Sequence, residues 1–167
     1  MMRAVLSLLI SLAFLVLGTA SMAETLEECL QTRLDNVLAG EHVAKHANMT
    51  GVVRLALGRG NFDEIKEDPV ALKRFESTAA TVIARRISER AGEFVGATLE
   101  LDDTGDKASV EGKIIAGGAA YNINITFAGR KTCKVTDVSI HGAFTLRDWI
   151  REQSEMQALM KEYKLAR

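Results

Sequence analysis

Proline is almost absent from this sequence, which has one proline and 13 glycines among 167 residues. Collagen-like and low-complexity chains need far more of both residues, so these classes are excluded. The sequence also lacks an excess of one charge: it has 21 basic and 22 acidic residues, and its net charge is −1. Binding to phosphate backbones needs a concentrated basic field, so we expect no nucleic acid as partner. The length suits one domain with a substantial core.

Long apolar runs are lacking except at the amino terminus. After a basic start, residues 4–17 are apolar apart from two serines, and small residues follow at Ser21 and Ala23. This pattern is typical of a secretory signal peptide cleaved after Ala23. The alternative is a membrane anchor, but fourteen helical residues reach only about 21 Å, against a hydrocarbon core of roughly 30 Å. We expect residues 1–23 to be removed and residues 24–167 to form one exported domain.

The first half of this domain has helical periodicity. Apolar residues recur at helical spacing over Glu24–Ala39 and over His42–Leu57, and Gly58 is expected to end the second helix. Asp68 followed by Pro69 predicts the start of a third helix, because an aspartate cap and a proline in the first turn both favour a helix amino terminus. The expected buried stripe of this helix is Leu72, Phe75, Ala79, Val82, Ile83 and Ile87, with Gly92 at the carboxyl end.

From Phe94 onward the apolar period changes from 3.6 to 2. Short turn segments separate four alternating stretches, which predicts four strands of an antiparallel meander. In the last stretch the alternation changes parity at Thr136 and Asp137, which indicates a β-bulge and a bent sheet. One final helix is predicted from Leu146, capped by Thr145. The expected fold class is α+β, with N-terminal helices packed on a curved four-stranded antiparallel sheet and a C-terminal helix.

One face of the predicted sheet is apolar. Its residues are Val95, Ala97, Leu99, Val110, Gly112, Ile114, Ile123, Ile125 and Phe127. If this face borders a cavity, we expect Val82 and Ile83 of the third helix and Trp149 of the last helix on the opposite wall. Enzymes need convergent polar groups in such a cavity, and this face offers none. We therefore expect the protein not to be an enzyme.

The three histidines give weak signals for metal binding or catalysis. His42 and His46 have the spacing of two ligands on one helix face, but no third ligand is evident, so solvent-facing side chains are the preferred interpretation. Asp137 and His141 could form an acid–base pair, although a structural role for Asp137, accepting backbone N–H groups at the bulge, is favoured. We expect no catalytic residue, no metal and no cofactor.

The third helix carries five basic residues. A solvated face is the preferred interpretation, and attraction to anionic lipid headgroups is the alternative. The residues are Lys73, Arg74, Arg85, Arg86 and Arg90.

Cysteine is scarce, with Cys29 and Cys133 the only two. Exported proteins meet oxidising conditions, so the two most simply pair in a disulfide that ties the first helix to the last strand. Two unpaired, buried thiols are the alternative.

Three stretches resemble one known family. Residues 134–142, Lys-Val-Thr-Asp-Val-Ser-Ile-His-Gly, followed by a helix with Arg151, look like the ending of the MlaC family. Leu57-Gly58-Arg59 resembles the family's Leu-Gly-Arg helix end, and residues 68–75 resemble the opening of its next helix. The resemblance extends over about residues 50–163.

Members of this family are periplasmic phospholipid-binding proteins that serve ABC lipid transporters. The resemblance implies that helices cover the concave face of the sheet and that acyl chains enter between them. It implies a lipid carrier in the periplasm, with a phospholipid or similar lipid as ligand. Its partners would be an inner-membrane MCE-domain ABC transporter and an outer-membrane complex. The alternative is a small periplasmic interaction protein with a closed core and no ligand.

Small residues would leave the space that such a ligand needs. The candidates are Ala79, Ala80, Ala84, Ala97 and Gly112.

Overall fold

The first helix begins soon after the predicted signal peptide. The structure is a computed structural model that describes residues 25–102, 105, 108–141 and 144–166, so residues 1–23 and their cleavage position lie outside it. Helix α1 comprises Leu26–Leu38. A capping box closes its start: Thr25 Oγ1 accepts from the Glu28 N–H at 3.2 Å, and Glu28 Oε2 accepts from the Thr25 N–H at 2.8 Å. The predicted first helix is confirmed.

The second predicted helix is wrong in its first half. His42–Leu57 divides into a single 3₁₀ turn, Val43–Lys45, and helix α2, Met49–Leu57, which begins after the capping residue Asn48. Between them Ala47 forms a parallel bridge to Val135 of the sheet. A hydrogen-bonding partner distant in sequence therefore interrupts a helical pattern.

Two further helices follow. Gly58 ends α2 as predicted, with a φ of 77°, and α3, Arg59–Ile65, begins at the next residue. Helix α4 comprises Pro69–Arg90, and the carboxylate of Asp68 accepts the Val70 and Ala71 N–H groups as predicted. A 3₁₀ turn, Ala91–Phe94, extends the chain beyond α4 without the left-handed glycine expected at Gly92.

The sheet is antiparallel, as predicted, and has five strands among the described residues rather than four. In spatial and sequence order they are β1 (Thr98–Asp102), β2 (Ser109–Ala116), β3 (Ala119–Ala128), β4 (Lys134–Ile140) and β5 (Phe144–Thr145). Thr126 pairs with Asp137, and its neighbour Phe127 pairs with Val135. Thr136 is therefore an extra residue, which confirms the predicted bulge.

The C-terminal helix is divided in two. Helix α5 comprises Leu146–Glu152 and α6 comprises Ser154–Glu162, because Gln153 adopts an extended ψ of 139° between them. The predicted Thr145 cap is wrong, since its side chain makes no capping bond. Asp137 replaces it: the Asp137 carboxylate accepts the Arg147 N–H at 3.2 Å from the neighbouring strand.

Two apolar clusters hold these elements together. One lies among the helices and includes Val52, Val53, Leu57, Phe75, Ala79, Ile83, Ile150, Met156 and Met160. The other lies between α1 and the sheet and includes Leu26, Leu30, Leu99, Val110, Ile123, Ile125 and Phe127. We call these the helical core and the sheet core. Within the described residues no helix is long and apolar enough to cross a bilayer.

Helix α2 joins the helical core to the sheet at the bulge. A Cβ built on Gly51 would lie 2.6 Å from the Thr136 methyl carbon, so only glycine permits this approach. This contact explains a glycine inside a helix, which costs about 1 kcal/mol relative to alanine.

Candidate functional site

The apolar face predicted for the sheet is present. Leu99 lies opposite Ile114, Gly112 opposite Ile123, and Val110 opposite Ile125. Directly opposed residues of antiparallel strands project to the same side, so these side chains form one continuous surface. Their neighbours on β3, including Asn122 and Asn124, project to the other side.

Helix α1 covers this face. Leu26 and Leu30 are buried against it, and Leu34 is partly buried there. The Cys29–Cys133 disulfide fastens the helix to the residue before β4, with a Cα–Cα distance of 6.3 Å across 104 residues of sequence. The predicted cysteine pairing is confirmed.

The two flanks of α1 are attached differently. Toward β1 the attachment is polar: the Gln31 amide donates to the Ala97 carbonyl at 2.9 Å and accepts the Leu99 N–H at 2.8 Å. Glu27 accepts the Leu101 N–H at 2.8 Å. These side chains satisfy the free edge of β1, which would otherwise offer unpaired backbone groups. An open depression of about 580 Å³ follows this seam.

The expected opposite wall is wrong. Ile83 is buried in the helical core, and Trp149 is partly buried against the same core, rather than facing the apolar surface of the sheet. Val82 is buried but belongs to neither cluster. Helical periodicity correctly marked Val82 and Ile83 as buried, but Ile83 packs against other helices rather than against the sheet.

Val95 is also misplaced. Its side chain is 79% exposed and it precedes β1, because the chain enters the sheet three residues later than the alternation suggested. Ala97, likewise before β1, is buried.

The small residues do not provide the expected space. A Cβ built on Gly112 would lie 2.9 Å from the Leu101 Cα, so this glycine allows close contact with β1 rather than leaving a void. Ala79 and Ala80 pack in the helical core, and Ala84 is exposed.

The apolar face is least covered at one end. Leu99 beside α1 is 8% exposed, its neighbour Ile114 is half-buried, and Tyr121 opposite Ile114 is 44% exposed. On the next cross-strand row, Ile140 and Phe144 are half-buried as well. We call this region, formed by Ile114, Tyr121, Ile140 and Phe144, the open end.

A second open depression of about 600 Å³ lies beside the open end. Ile140, Phe144 and Trp149 give it an apolar side, and the rings of Phe144 and Trp149 are 6.3 Å apart. Its polar side contains Ser139, His141, Thr145, Asp148 and Glu152. Volumes near 600 Å³ fall within the roughly 300–1,000 Å³ range of ligand pockets.

The histidines and the aspartate considered as metal ligands or catalytic groups do not converge on one site. His42 is exposed and caps the 3₁₀ turn, whereas His46 is buried, which corrects the expectation that both face solvent. The Asp137 carboxylate accepts the Val138 and Arg147 N–H groups, as predicted for a structural role, and burial raises its pKa. His141 is exposed. No group of three or more potential metal ligands occurs within the described part of the chain.

Four arginines of α4 have carboxylate partners. Arg74 pairs with Glu162 and Arg85 with Glu155, so both bridge α4 to α6. Arg86 and Arg90 pair with glutamates three residues later. These contacts favour the solvated-face interpretation over attraction to anionic headgroups.

Comparison with known proteins finds similarity in structure alone. No protein family model matches the sequence, and no curated protein matches it. A solved structure does: the phospholipid-binding protein from Ralstonia solanacearum, in complex with a phospholipid. The match covers 84% of this chain and 90% of that chain, with a TM-score of 0.56 and 14% sequence identity. The two proteins share a fold.

Three residues at this site were not predicted from the sequence. Glu27 and Gln31 attach α1 to β1, and Arg33 contacts the disulfide from the other flank. On an amphipathic helix such residues have the pattern of an ordinary solvated face. Their partners on β1, before β1 and at the disulfide lie between 66 and 100 residues away, so no local signal identifies them.

Proposed function

We propose that this protein binds a phospholipid or a similar lipid, with its acyl chains against the apolar face of the sheet. This proposal rests mainly on the fold that the chain shares with a protein whose structure contains a phospholipid. The location is supported by the continuous aliphatic surface formed by Leu99, Val110, Ile123 and Ile125. A polar ligand would find few partners there, since the described residues of this face offer no hydrogen-bonding side chain before Tyr121 at its margin.

An apolar surface is what lipid extraction requires. Removing an acyl chain from a bilayer costs about 0.8 kcal/mol for each CH₂ group, hence about 12 kcal/mol for a sixteen-carbon chain. Hydrogen bonds contribute only about 1 kcal/mol each after exchange with water, so continuous apolar contact must supply most of the compensation. The apolar face of the sheet provides that contact if the acyl chain reaches it from the open end, where Tyr121 is 44% exposed.

Helix α1 covers this surface, and its attachment to the sheet would permit it to move. On the β1 side α1 is attached by the side chains of Gln31 and Glu27, whose hydrogen bonds water can replace. On the other side the disulfide holds it covalently. We therefore infer that α1 moves away from β1 and pivots near Cys29 when acyl chains enter.

A more specific proposal is that the protein is a non-enzymatic lipid carrier of the MlaC type. It would work in the periplasm after removal of residues 1–23, and exchange lipid with an inner-membrane MCE-domain ABC transporter and an outer-membrane complex. The sequence stretches at residues 57–59, 68–75 and 134–142 support this proposal.

The test is native mass spectrometry of the protein purified after export. We expect a co-purified lipid mass, and rebinding when delipidated protein is incubated with phosphatidylethanolamine and phosphatidylglycerol vesicles. Tyr121→Asp places a charge at the open end and should abolish both signals. Asn122→Asp is the matched control, because the neighbouring side chain is exposed on the opposite face. Equal lipid binding by the two variants would contradict this site.

A second candidate function is an interaction protein with a closed core. It is favoured by the close packing of α1 on the sheet and by the lack of space at Gly112. Wild-type protein that carries no lipid after purification, and takes up none from either vesicle, would support this alternative and refute the carrier.

A further inference from the structure

A polar cluster surrounds the disulfide on the flank of α1 opposite to Gln31. Arg33 Nε donates to the Cys133 sulfur at 3.0 Å. The same guanidinium donates to the carbonyl groups of Thr132 and Lys45 and contacts His46 Nδ1 at 3.4 Å. Because a carboxylate only accepts, Nε2 of His46 donates to Glu41 at 3.1 Å.

This arrangement suits a thiolate better than a disulfide. A disulfide sulfur carries no net charge and accepts hydrogen bonds weakly, whereas a thiolate is an anion that a neighbouring cation stabilises. Among the described residues no carboxylate lies within ion-pair distance of Arg33, and its neighbours are two carbonyls and an imidazole. The positive charge is therefore held beside Cys133 without direct neutralisation.

The two cysteines differ in residual exposure and in environment. Both residues are buried, but Cys29 keeps 9% exposure and Cys133 has none, so the only accessible surface of the pair belongs to Cys29. Cys133 also has a φ of 37°, in the left-handed region that residues with a side chain rarely adopt. Backbone conformations of this kind persist only where surrounding contacts impose them, and they cluster at switch regions.

We propose that Cys29–Cys133 is a site of thiol–disulfide exchange, with Cys29 the attacked sulfur and Cys133 the leaving thiolate held by Arg33. A dithiol reductant ionises one thiol, and this thiolate bonds to the Cys29 sulfur. The Cys29–Cys133 bond breaks and its electron pair leaves on Cys133. The second thiol of the reductant, after losing its proton, displaces Cys29, which takes up a proton. The reductant is oxidised to its disulfide and the two cysteines are reduced.

Exchange at this site would remove the covalent attachment of α1 to the residue before β4. Helix α1 would then be held over the sheet by noncovalent contacts alone. The proposal stands without lipid binding, because it concerns the chemistry of the disulfide itself.

The first test measures how easily the disulfide is reduced. Purified oxidised protein is equilibrated with mixtures of reduced and oxidised dithiothreitol, quenched with acid and alkylated, and intact mass gives the reduced fraction. Arg33→Gln should require about a tenfold higher ratio of reduced to oxidised reagent, because the thiolate loses its cation. That change corresponds to about 30 mV. Arg33→Lys keeps the charge and should restore the wild-type midpoint.

A purely structural role for Arg33 predicts the opposite sign. Losing its contacts would loosen α1 and make the disulfide easier to reduce. Gln31→Ala provides the control for such loosening, because it removes hydrogen bonds from the other flank and should not make reduction harder. A midpoint for Arg33→Gln that is unchanged, or shifted toward easier reduction, overturns the proposal.

The second test needs no variant. Oxidised wild-type protein is treated briefly with reduced glutathione, quenched with acid and digested, and the mixed disulfide is located by peptide mass spectrometry. The adduct is expected on Cys29. An adduct on Cys133, or no adduct while the disulfide survives a large excess of glutathione, overturns the assignment.

Discussion

Asp137 replaces the missing helix cap at α5, and its removal should be measurable. Its Oδ1 atom accepts the Val138 N–H at 3.0 Å and the Arg147 N–H at 3.2 Å, and the residue is 8% exposed. Asp137→Ala leaves both N–H groups without this partner. Each bond is worth about 1 kcal/mol net, so we expect a loss of about 2 kcal/mol and a Tm lower by about 4–8 °C.

Asp137→Asn is the matched control, because the amide oxygen can still accept both bonds. We expect its free energy of unfolding to lie within about 1 kcal/mol of the wild-type value at neutral pH. The assay is urea unfolding followed by circular dichroism. An Asp137→Ala variant as stable as the wild type would refute the capping role.

The pH dependence tests the same site independently. Burial is the largest effect on Asp137 and raises its pKa above the ordinary 3.8, although Arg147 and the two N–H groups oppose the shift. The folded state therefore binds the proton more readily than the unfolded state. The stability of the wild type relative to Asp137→Asn should fall as the pH rises from about 4 through the folded-state pKa, then remain constant. A relative gain with rising pH would refute the reasoning.

Two further predictions concern packing and an ion pair. Gly112→Leu should destabilise the protein by about 1–3 kcal/mol in urea unfolding, because the added side chain meets the Leu101 backbone, and unchanged stability would show that β2 can shift. Arg85 lowers the pKa of Glu155 to about 2, so the stabilisation from this pair is present above pH 4.5 and lost as the pH falls toward 2. Glu155→Gln should be less stable than the wild type at pH 7, and the difference should shrink as the pH falls from 4.5 toward 2. A difference as large near pH 2 as at pH 7 would contradict this account.

Features that depend on neighbouring residues could be predicted from the sequence. The Asp68–Pro69 start of α4 follows from a local cap and a locally restricted φ. The apolar face of the sheet follows from alternation with period 2, and the bulge at Thr136 follows from a change in its parity. The disulfide was the simpler of two interpretations of an even cysteine count in a chain with a signal-peptide pattern, and the structure contains it.

Tertiary structure alone decided what each of these elements contacts. Periodicity marks Ile83 and Ile125 as buried residues, but it carries no information on which buried surfaces meet, so their assignment to two separate cores could not be predicted. The same holds where distant partners replace local ones: Val135 interrupts a helical pattern at Ala47, and Asp137 performs the capping that Thr145 does not. Local patterns determine the conformation of a segment because its free energy depends on adjacent residues. Its partners depend on the packing of the whole chain, to which residues about 100 positions apart contribute.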